Sequence, residues 1–367
     1  MNQLTDCRIL FLVGQLGIGG LERQLYYLLQ GMNRNRYRPA VVSWSSRSSD
    51  GYAPKIQSLG VPVYCFSEGV APAAKLATLR RMAKKLCPEV VHSFSFYTNY
   101  AAYFAALSRP MLALGSLRSD ILADRKRVGL VLGVLSGRWP RDQVSNNVST
   151  TESIRKVHSW SAPRRIHLVR NGIDLDKFQD HTFTNRHPAQ VVGVGSLLPE
   201  KRWDRVLRAV RELKSRGYVC RVHIAGTGPL LESLREEAML LGVDEEITFL
   251  GNVPDIPKLI SDATFLVHTS EIEGCPNAVM EAMACGRPVV ATDAGDVPYL
   301  VIQGRTGFVV ARGDESALVD RMAALIESPD LCRSMGHEGR QRAEQEFGMN
   351  RYVDDMMAAY RAAGWRG

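Results

Sequence analysis

The sequence predicts an α/β protein made of two doubly wound domains with parallel sheets, and three observations predict it. The chain has 367 residues, 45% of them apolar, which at roughly 100–200 residues per domain makes about two domains, each with its own core. Short β-branched or aromatic runs alternate with stretches of helical spacing, the pattern of strands laid parallel with helices on both faces. The alternation pauses at the polar stretch 180–188 and then restarts.

In chain order, strands are expected at 8–13, 38–44, 61–66, 90–94, 111–115 and 143–146. Leu21, Leu25, Leu28 and Leu29 fall at helical spacing between the first two, and a second amphipathic stretch covers 74–86. The second half offers strands at 191–194, 221–225, 247–250, 264–268 and 288–292, with helices at 202–216 and 230–241. Segments 314–327, 331–346 and 350–363 read as closing helices, the last with no strand after it to cover. The expected division is 1–175 plus 350–367 against 176–349. Two such sheets placed with their carboxyl ends facing make an interdomain cleft, the usual ligand position.

Composition excludes several classes. No run of 18 uninterrupted apolar residues occurs, which argues against a spanning helix, and 23% charge with 45% apolar content argues against a disordered tail. The opening MNQLTDCRIL has no basic or apolar signal region. The seven Cys are widely spaced and include no CxxC pair, so a reducing cytoplasm is the expected setting. Cys65, Cys220 and Cys285 lie in apolar stretches and read as buried small hydrophobes. Residues 1–175 hold 24 Lys/Arg against 10 Asp/Glu, and 176–367 hold 22 against 28. The basic half points to an acidic partner or to a solvated surface. Its Lys/Arg residues form no stripe interleaved with aromatics, so nucleic acid is not expected.

The loop after the first strand, Gly14 to Glu22, carries Gly17, Gly19 and Gly20 and leads into a helix, where backbone N–H groups can approach a phosphate. It fits neither of two familiar phosphate loops. No Lys-Ser/Thr follows, and the third Gly of a dinucleotide fingerprint would fall on Glu22; no acid closes the second strand, which ends Ser43-Trp44-Ser45-Ser46. The strongest constellation is Glu273-Gly-Cys-Pro-Asn-Ala-Val-Met-Glu281. Pro276 is placed to start a helix whose free N–H groups point back at the loop, with Glu281 about one turn in, able to accept hydrogen bonds from a ribose diol. An apolar helix around Glu281 makes an unpaired carboxylate there costly. Lys201 or Arg202, after Gly195-Ser196, can neutralise a diphosphate.

These motifs, with Ile224–Pro229, Gly251-Asn252-Val253, Arg170-Asn-Gly-Ile-Asp174 and the EAMACGRPVVATDAG run from Glu281, resemble glycosyltransferase family 4, the retaining GT-B enzymes. The resemblance covers nearly the whole chain in order. It implies a GT-B fold, two Rossmann-like doubly wound domains facing across a cleft, with the C-terminal helix crossing back to the N-terminal domain. It implies an acceptor domain at the N-terminus and a nucleotide-sugar donor domain at the C-terminus. By the same resemblance Glu281 binds the ribose and Glu273 the transferred sugar. Lys201, with Arg202, holds the diphosphate, which Gly19 and Gly20 cap from the other domain. Pro276, Asn277 and Ala278 contact phosphate or sugar, Asn252 and Val253 seat the base, and Gly226 belongs to the donor-site segment. Two positions depart from the family. Ser196 stands where an Arg is common, and His92-Ser93-Phe94 replaces a frequent His-x-His. His92 joins Glu273 and Lys201 as a candidate catalytic residue.

The implied reaction moves a hexose or N-acetylhexosamine from a nucleotide-sugar, expected to be a UDP-sugar with GDP-mannose the alternative, to a hydroxyl of a glycan, lipid-linked or small-molecule acceptor. Configuration is retained and the leaving phosphate takes the proton. No DxD-type acid pair ends a strand, so neither metal nor cofactor is expected. An epimerase or hydrolase of the same architecture, or a non-catalytic nucleotide-sugar-binding protein, are the alternatives. The segment 125–141, apolar at 128–136 with basic ends and Trp139, has two readings. One is a buried helix before the sixth strand, which its short apolar stretch favours. The other is a peripheral contact at the inner face of a membrane.

Overall fold

The computed structural model describes residues 7–45, 51–118, 121–155 and 160–367. Of the features read from the sequence, the opening residues 1–6, Ser46 and the side chain of Arg127 lie outside the described residues. The chain divides into two compact units, residues 1–172 with 349–367, and residues 173–348.

The first unit carries seven parallel strands: β1 (Ile9–Val13), β2 (Pro39–Ser43), β3 (Val63–Cys65), β4 (Val90–Ser93), β5 (Leu112–Leu117), β6 (Asp142–Ser145) and β7 (Arg165–Leu168). Their order in the sheet is β3-β2-β1-β4-β5-β6-β7. Side chains alternate along β1: Ile9, Phe11 and Val13 enter one apolar layer, Leu10 and Leu12 the other. The first layer is closed by helix Gly20–Gly31 through Leu25, Leu28 and Leu29, and by helix Met349–Ala362 through Tyr352, Met356 and Tyr360. The final helix therefore covers the first sheet, and Trp365 beyond it donates to Glu89 Oε2 at 2.7 Å. The opposite face is closed by helices Pro72–Leu86 and Asn99–Ala106, through Leu79, Ala83, Ala101 and Ala105.

The second unit has six parallel strands: β8 (Ala189–Val194), β9 (Cys220–Ala225), β10 (Ile247–Gly251), β11 (Phe265–His268), β12 (Val289–Thr292) and β13 (Gly307–Val310), in the order β10-β9-β8-β11-β12-β13. Helix Trp203–Ser215 presents Val206, Val210 and Leu213 to one face. Helix Asn277–Ala284 presents Val279 and Met283 to the other. In both sheets the direction of winding reverses beside the first strand, between β1 and β4 and between β8 and β11. Loops leaving the carboxyl ends of such strands diverge and open a crevice.

Two strands escaped the sequence reading, β7 and β13. Both are four-residue edge strands; β7 is exposed at both ends of its run, so no continuous apolar stretch marks it. Cys65 is exposed because β3 is the other edge of the first sheet, whereas Cys220 and Cys285 are buried as expected. The segment 125–141 is not one buried helix. It holds helix Ile121–Val128 and helix Leu130–Arg138, parted at Gly129, and Leu130, Val131, Leu132 and Leu135 are exposed.

Candidate active site

In the second unit the loops after β8, β9, β10 and β11 leave the same edge of the sheet, because all four strands are parallel. After β8 the chain passes Gly195 and the half-buried Ser196, then a short 3-10 turn, Pro199–Lys201, before helix Trp203–Ser215. Trp203 donates its indole N–H to the Ser196 carbonyl at 2.9 Å. Gly226, after β9, approaches so closely that a Cβ would lie 1.8 Å from the Gly195 carbonyl oxygen, and its φ of +155° suits glycine. Gly226 N–H donates to the Gly251 carbonyl at 2.8 Å, bringing the end of β10 to the same place, with Asn252 exposed and Val253 half-buried beyond it.

The loop after β11 is pinned to the loop after β8. Glu271 N–H donates to the Glu200 carbonyl at 2.8 Å, and the Thr269 hydroxyl donates to the Lys201 and Arg202 carbonyls at 3.2 and 3.0 Å. Lys201 Nζ thereby meets Glu273 Oε1 at 2.5 Å, although 72 residues separate them. His268, the last residue of β11 and almost fully buried, places Nε2 3.0 Å from the same oxygen. Burial alone would raise the Glu273 carboxyl; His268 and then Lys201 outweigh it and pull the group down to about 2. At neutral pH Glu273 is an anion, an acceptor of hydrogen bonds and no proton donor.

Pro276 ends the loop and helix Asn277–Ala284 begins, with Ala278 buried and Asn277 half-buried at its first turn. The first amide groups of a helix have no intrahelical partner, so those at 277 and 278 are offered to the loop side. Glu281 is 2% exposed within this apolar helix. The far end of the helix is held by Arg340, which donates to the Ala284 carbonyl at 2.6 Å, and by the buried Arg287, which donates to Cys285, Gly286 and Ser261 carbonyls. Arg202 is engaged elsewhere: its guanidinium binds Asp204 at 2.8 Å and lies 3.6 Å from Glu271. Lys201 and Arg202 thus turn to different carboxylates, Glu273 for the one and Asp204 with Glu271 for the other. His268 was not singled out from the sequence, where the only signal was a histidine closing an apolar run five residues before Glu273.

In the first unit the loop after β1 reaches the start of helix Gly20–Gly31 at Gly19, with Gly20 exposed. Gly14 N–H donates to Ser95 Oγ at 3.0 Å, and a Cβ on Gly14 would collide with the Tyr97 hydroxyl at 1.9 Å, which ties this loop to the segment after β4. His92 does not join any accessible site. It has no exposed surface; its ring nitrogens lie 2.7 Å from the Tyr360 hydroxyl and 3.1 Å from Ser116 Oγ. Burial, reinforced by the Arg118 charge, pulls its pKa down to about 3. Its position speaks against the expected catalytic role: a neutral histidine sealed between the sheet and the final helix has no exposed surface, and its two hydroxyl partners account for its burial. Phe94 is also fully buried, with the Arg118 guanidinium 3.9 Å from its ring centre.

The family model described as Glycosyltransferase Family 4 matches residues 18–177, and that described as Glycosyl transferases group 1 matches residues 176–342. Among curated relatives, the putative colanic acid biosynthesis glycosyltransferase WcaL of Salmonella typhimurium is 30% identical over 195 residues, 50% of this chain and 48% of that protein. The GDP-mannose-dependent alpha-(1-6)-phosphatidylinositol monomannoside mannosyltransferase of Mycolicibacterium smegmatis is 31% identical over 190 residues, 47% of this chain and 50% of that protein. The matches span about half the length of these curated relatives. The crystal structure of Anabaena HepE in complex with UDP superposes with a TM-score of 0.82 at 19% identity, covering 97% of this chain and 100% of that one. The fold shared with such structures is GT-B.

Proposed function

The chain belongs to glycosyltransferase family 4, and from that premise we propose that it transfers a hexose or N-acetylhexosamine from a UDP-sugar to an acceptor hydroxyl, with retention and without a metal. The acceptor is a glycan, a lipid-linked sugar or a small molecule, and the setting is the cytoplasm or the inner face of a membrane. One observation carries the reading: Lys201 meets Glu273 where the loops of β8 and β11 come together, and the buried Glu281 stands in the helix that follows. HepE, crystallised with UDP and with UDP-glucose, supports the uridine choice. The GDP-mannose dependence of the mycobacterial relative makes GDP-mannose the second reading.

In this proposal Glu281 accepts hydrogen bonds from the ribose hydroxyls. The amide groups at 277 and 278 and the Lys201 ammonium stabilise charge as it builds on the departing diphosphate, the kind of fixed electrostatic contribution that lowers a barrier most. Glu273, held ionised, orients sugar hydroxyls and balances positive charge at the sugar. The acceptor proton passes to the leaving phosphate, so no protein base is needed; a neutral, buried His92 is consistent with that.

Calorimetric titration with UDP, GDP and UDP-sugars, repeated on Glu281→Ala, tests the proposal. The expected result is UDP binding weakened roughly 10- to 100-fold in the variant, the loss of hydrogen bonds to a charged group. Equal binding by the variant overturns the ribose assignment; binding of GDP alone selects the second reading; binding of neither nucleotide overturns both.

A further inference from the structure

Two arginines of helix Trp203–Ser215 do different work. Arg208, half-exposed, pairs with Asp204 at 2.8 Å, Glu315 at 2.6 Å and Glu237 at 3.5 Å, all of them on helices. Arg205, three residues earlier and 5% exposed, reaches instead into the loop after β11. Its guanidinium donates to the Thr269 carbonyl at 3.2 Å and to Glu271 Oε2 at 2.5 Å, while its Nε has no partner among the described residues. A buried charge is costly unless it is paired and hydrogen-bonded, and here the compensation comes from the segment that leads to Glu273.

The same segment is fastened to the loop after β8, where Thr269 and Glu271 bond the carbonyls of Lys201, Arg202 and Glu200. Arg202, between Lys201 and the helix, has φ +51° and ψ +46°, a left-handed conformation that a non-glycine residue keeps only where its surroundings enforce it. Those surroundings are visible. The Arg202 carbonyl accepts from the Thr269 hydroxyl and from Arg205 N–H, both at 3.0 Å, and its guanidinium binds Asp204 and lies 3.6 Å from Glu271. Lys201 therefore leaves a backbone held by the loop after β11, and the loop is held in turn by Arg205.

We infer that Arg205 is a positioning residue for the Lys201–Glu273 pair. It acts through Thr269 and Glu271, which fix where the loop stands and so set the meeting of the Lys201 ammonium with the Glu273 carboxylate. The inference rests on the reading of Lys201 and Glu273 as donor-site groups. An ion pair that served helix packing alone, as those of Arg208 do, could be lost without moving Lys201.

Acylation of the full chain with an N-hydroxysuccinimide ester of acetic acid, followed peptide by peptide by mass spectrometry, tests this without a nucleotide. Lys214, on the same helix and paired with Glu246 at 2.8 Å, is the reference. In Arg205→Met the ratio of Lys201 to Lys214 acylation is expected to rise roughly 10-fold, the low end for losing a hydrogen bond to a charged group. Glu271→Ala, which truncates a half-exposed side chain, should raise the ratio in the same direction, and Arg205→Lys should restore most of the wild-type value. A merely structural loss accelerates both lysines and leaves the ratio where it was. An unchanged ratio in Glu271→Ala, or in Arg205→Met shown folded by thermal unfolding, overturns the inference.

Calorimetric titration with UDP then ties the loop to the donor site. Arg205→Met is expected to bind UDP about threefold to tenfold more weakly, the effect of one net hydrogen bond. Combined with Lys201→Met it should bind no more weakly than Lys201→Met alone, because residues that act through one contact are not additive. Losses that multiply overturn the inference. A wild type that binds no nucleotide defeats the donor-site reading, while the acylation ratio still decides whether Arg205 positions Lys201.

Discussion

His92 and His268 lie toward the carboxyl ends of corresponding strands, the one next to last in β4 and the other last in β11: β4 lies beside the first strand of the first sheet, and β11 beside the first strand of the second. Both are almost completely buried. Their neighbours differ. His92 faces two hydroxyls, of Tyr360 and Ser116, and burial empties it of charge. His268 faces Glu273, which in turn meets Lys201. The carboxyl-end region of the corresponding strand thus serves packing in one unit and a charged cluster in the other. Proximity to the carboxyl end of a sheet does not make a residue functional; the loop that follows has to bring a partner to it.

The comparison breaks most readily at its charged end. Glu273→Gln should lower kcat roughly 100- to 1,000-fold, the range for losing a fixed electrostatic contact in an active site, while His92→Gln keeps turnover per folded molecule within about threefold, since a residue away from the chemistry contributes through stability alone. Steady-state kinetics on both variants checks this. Equal losses would mean that His92 matters to the reaction after all.

Lys201→Met sharpens the comparison by leaving Glu273 with His268 alone. UDP affinity is expected to fall roughly 10-fold, the effect of one charge-assisted contact, in calorimetric titration. Full affinity in that variant would assign the diphosphate to other groups.

The smallest effect is a pH dependence of stability that the two sites divide. His92 takes up a proton near its ordinary value of 6.5 in the unfolded chain but only near 3 when folded. Unfolding therefore becomes easier as pH falls from 6.5 toward 3, by at most about 1.4 kcal/mol per pH unit. Glu273 behaves in the carboxylate sense: its contribution is complete above the ordinary value of 4.5 and fades as pH falls toward 2. Urea unfolding from pH 7 to pH 5 should show a slope in the wild type that His92→Gln reduces, the remainder including His223, whose pKa burial also lowers. An identical slope in both would place the titrating group elsewhere.

Much of the candidate site's geometry was legible because it is local. Glu273, Pro276 and Glu281 lie within nine residues, and the start of a helix at 277 follows from a proline and an apolar run. Gly226 and Gly19 stand at strand-to-helix passages that pattern alone locates. The partnership of Lys201 with Glu273 was not legible, since it depends on β8 and β11 being neighbours and on the Glu271–Glu200 backbone bond between their loops. Arg202 looked equivalent to Lys201 in sequence, and only its contacts with Asp204 and Glu271 separate the two.

The periodicity of apolar residues determined by itself that this chain forms two parallel, doubly wound sheets, because a strand buried on both faces and a helix buried on one each leave a distinct repeat. β7, exposed at both ends of its run, leaves none and appears only in the structure, as does the four-residue β13. Burial of a given segment is likewise a tertiary matter. Residues 130–135 are apolar enough for a core, yet whether a core receives them depends on how much apolar surface the neighbouring helices have already supplied. The charge state of His92 was settled in the same way, by burial and the Arg118 charge, with the final helix contributing Tyr360, 268 residues further along the chain, as one of the groups around the ring.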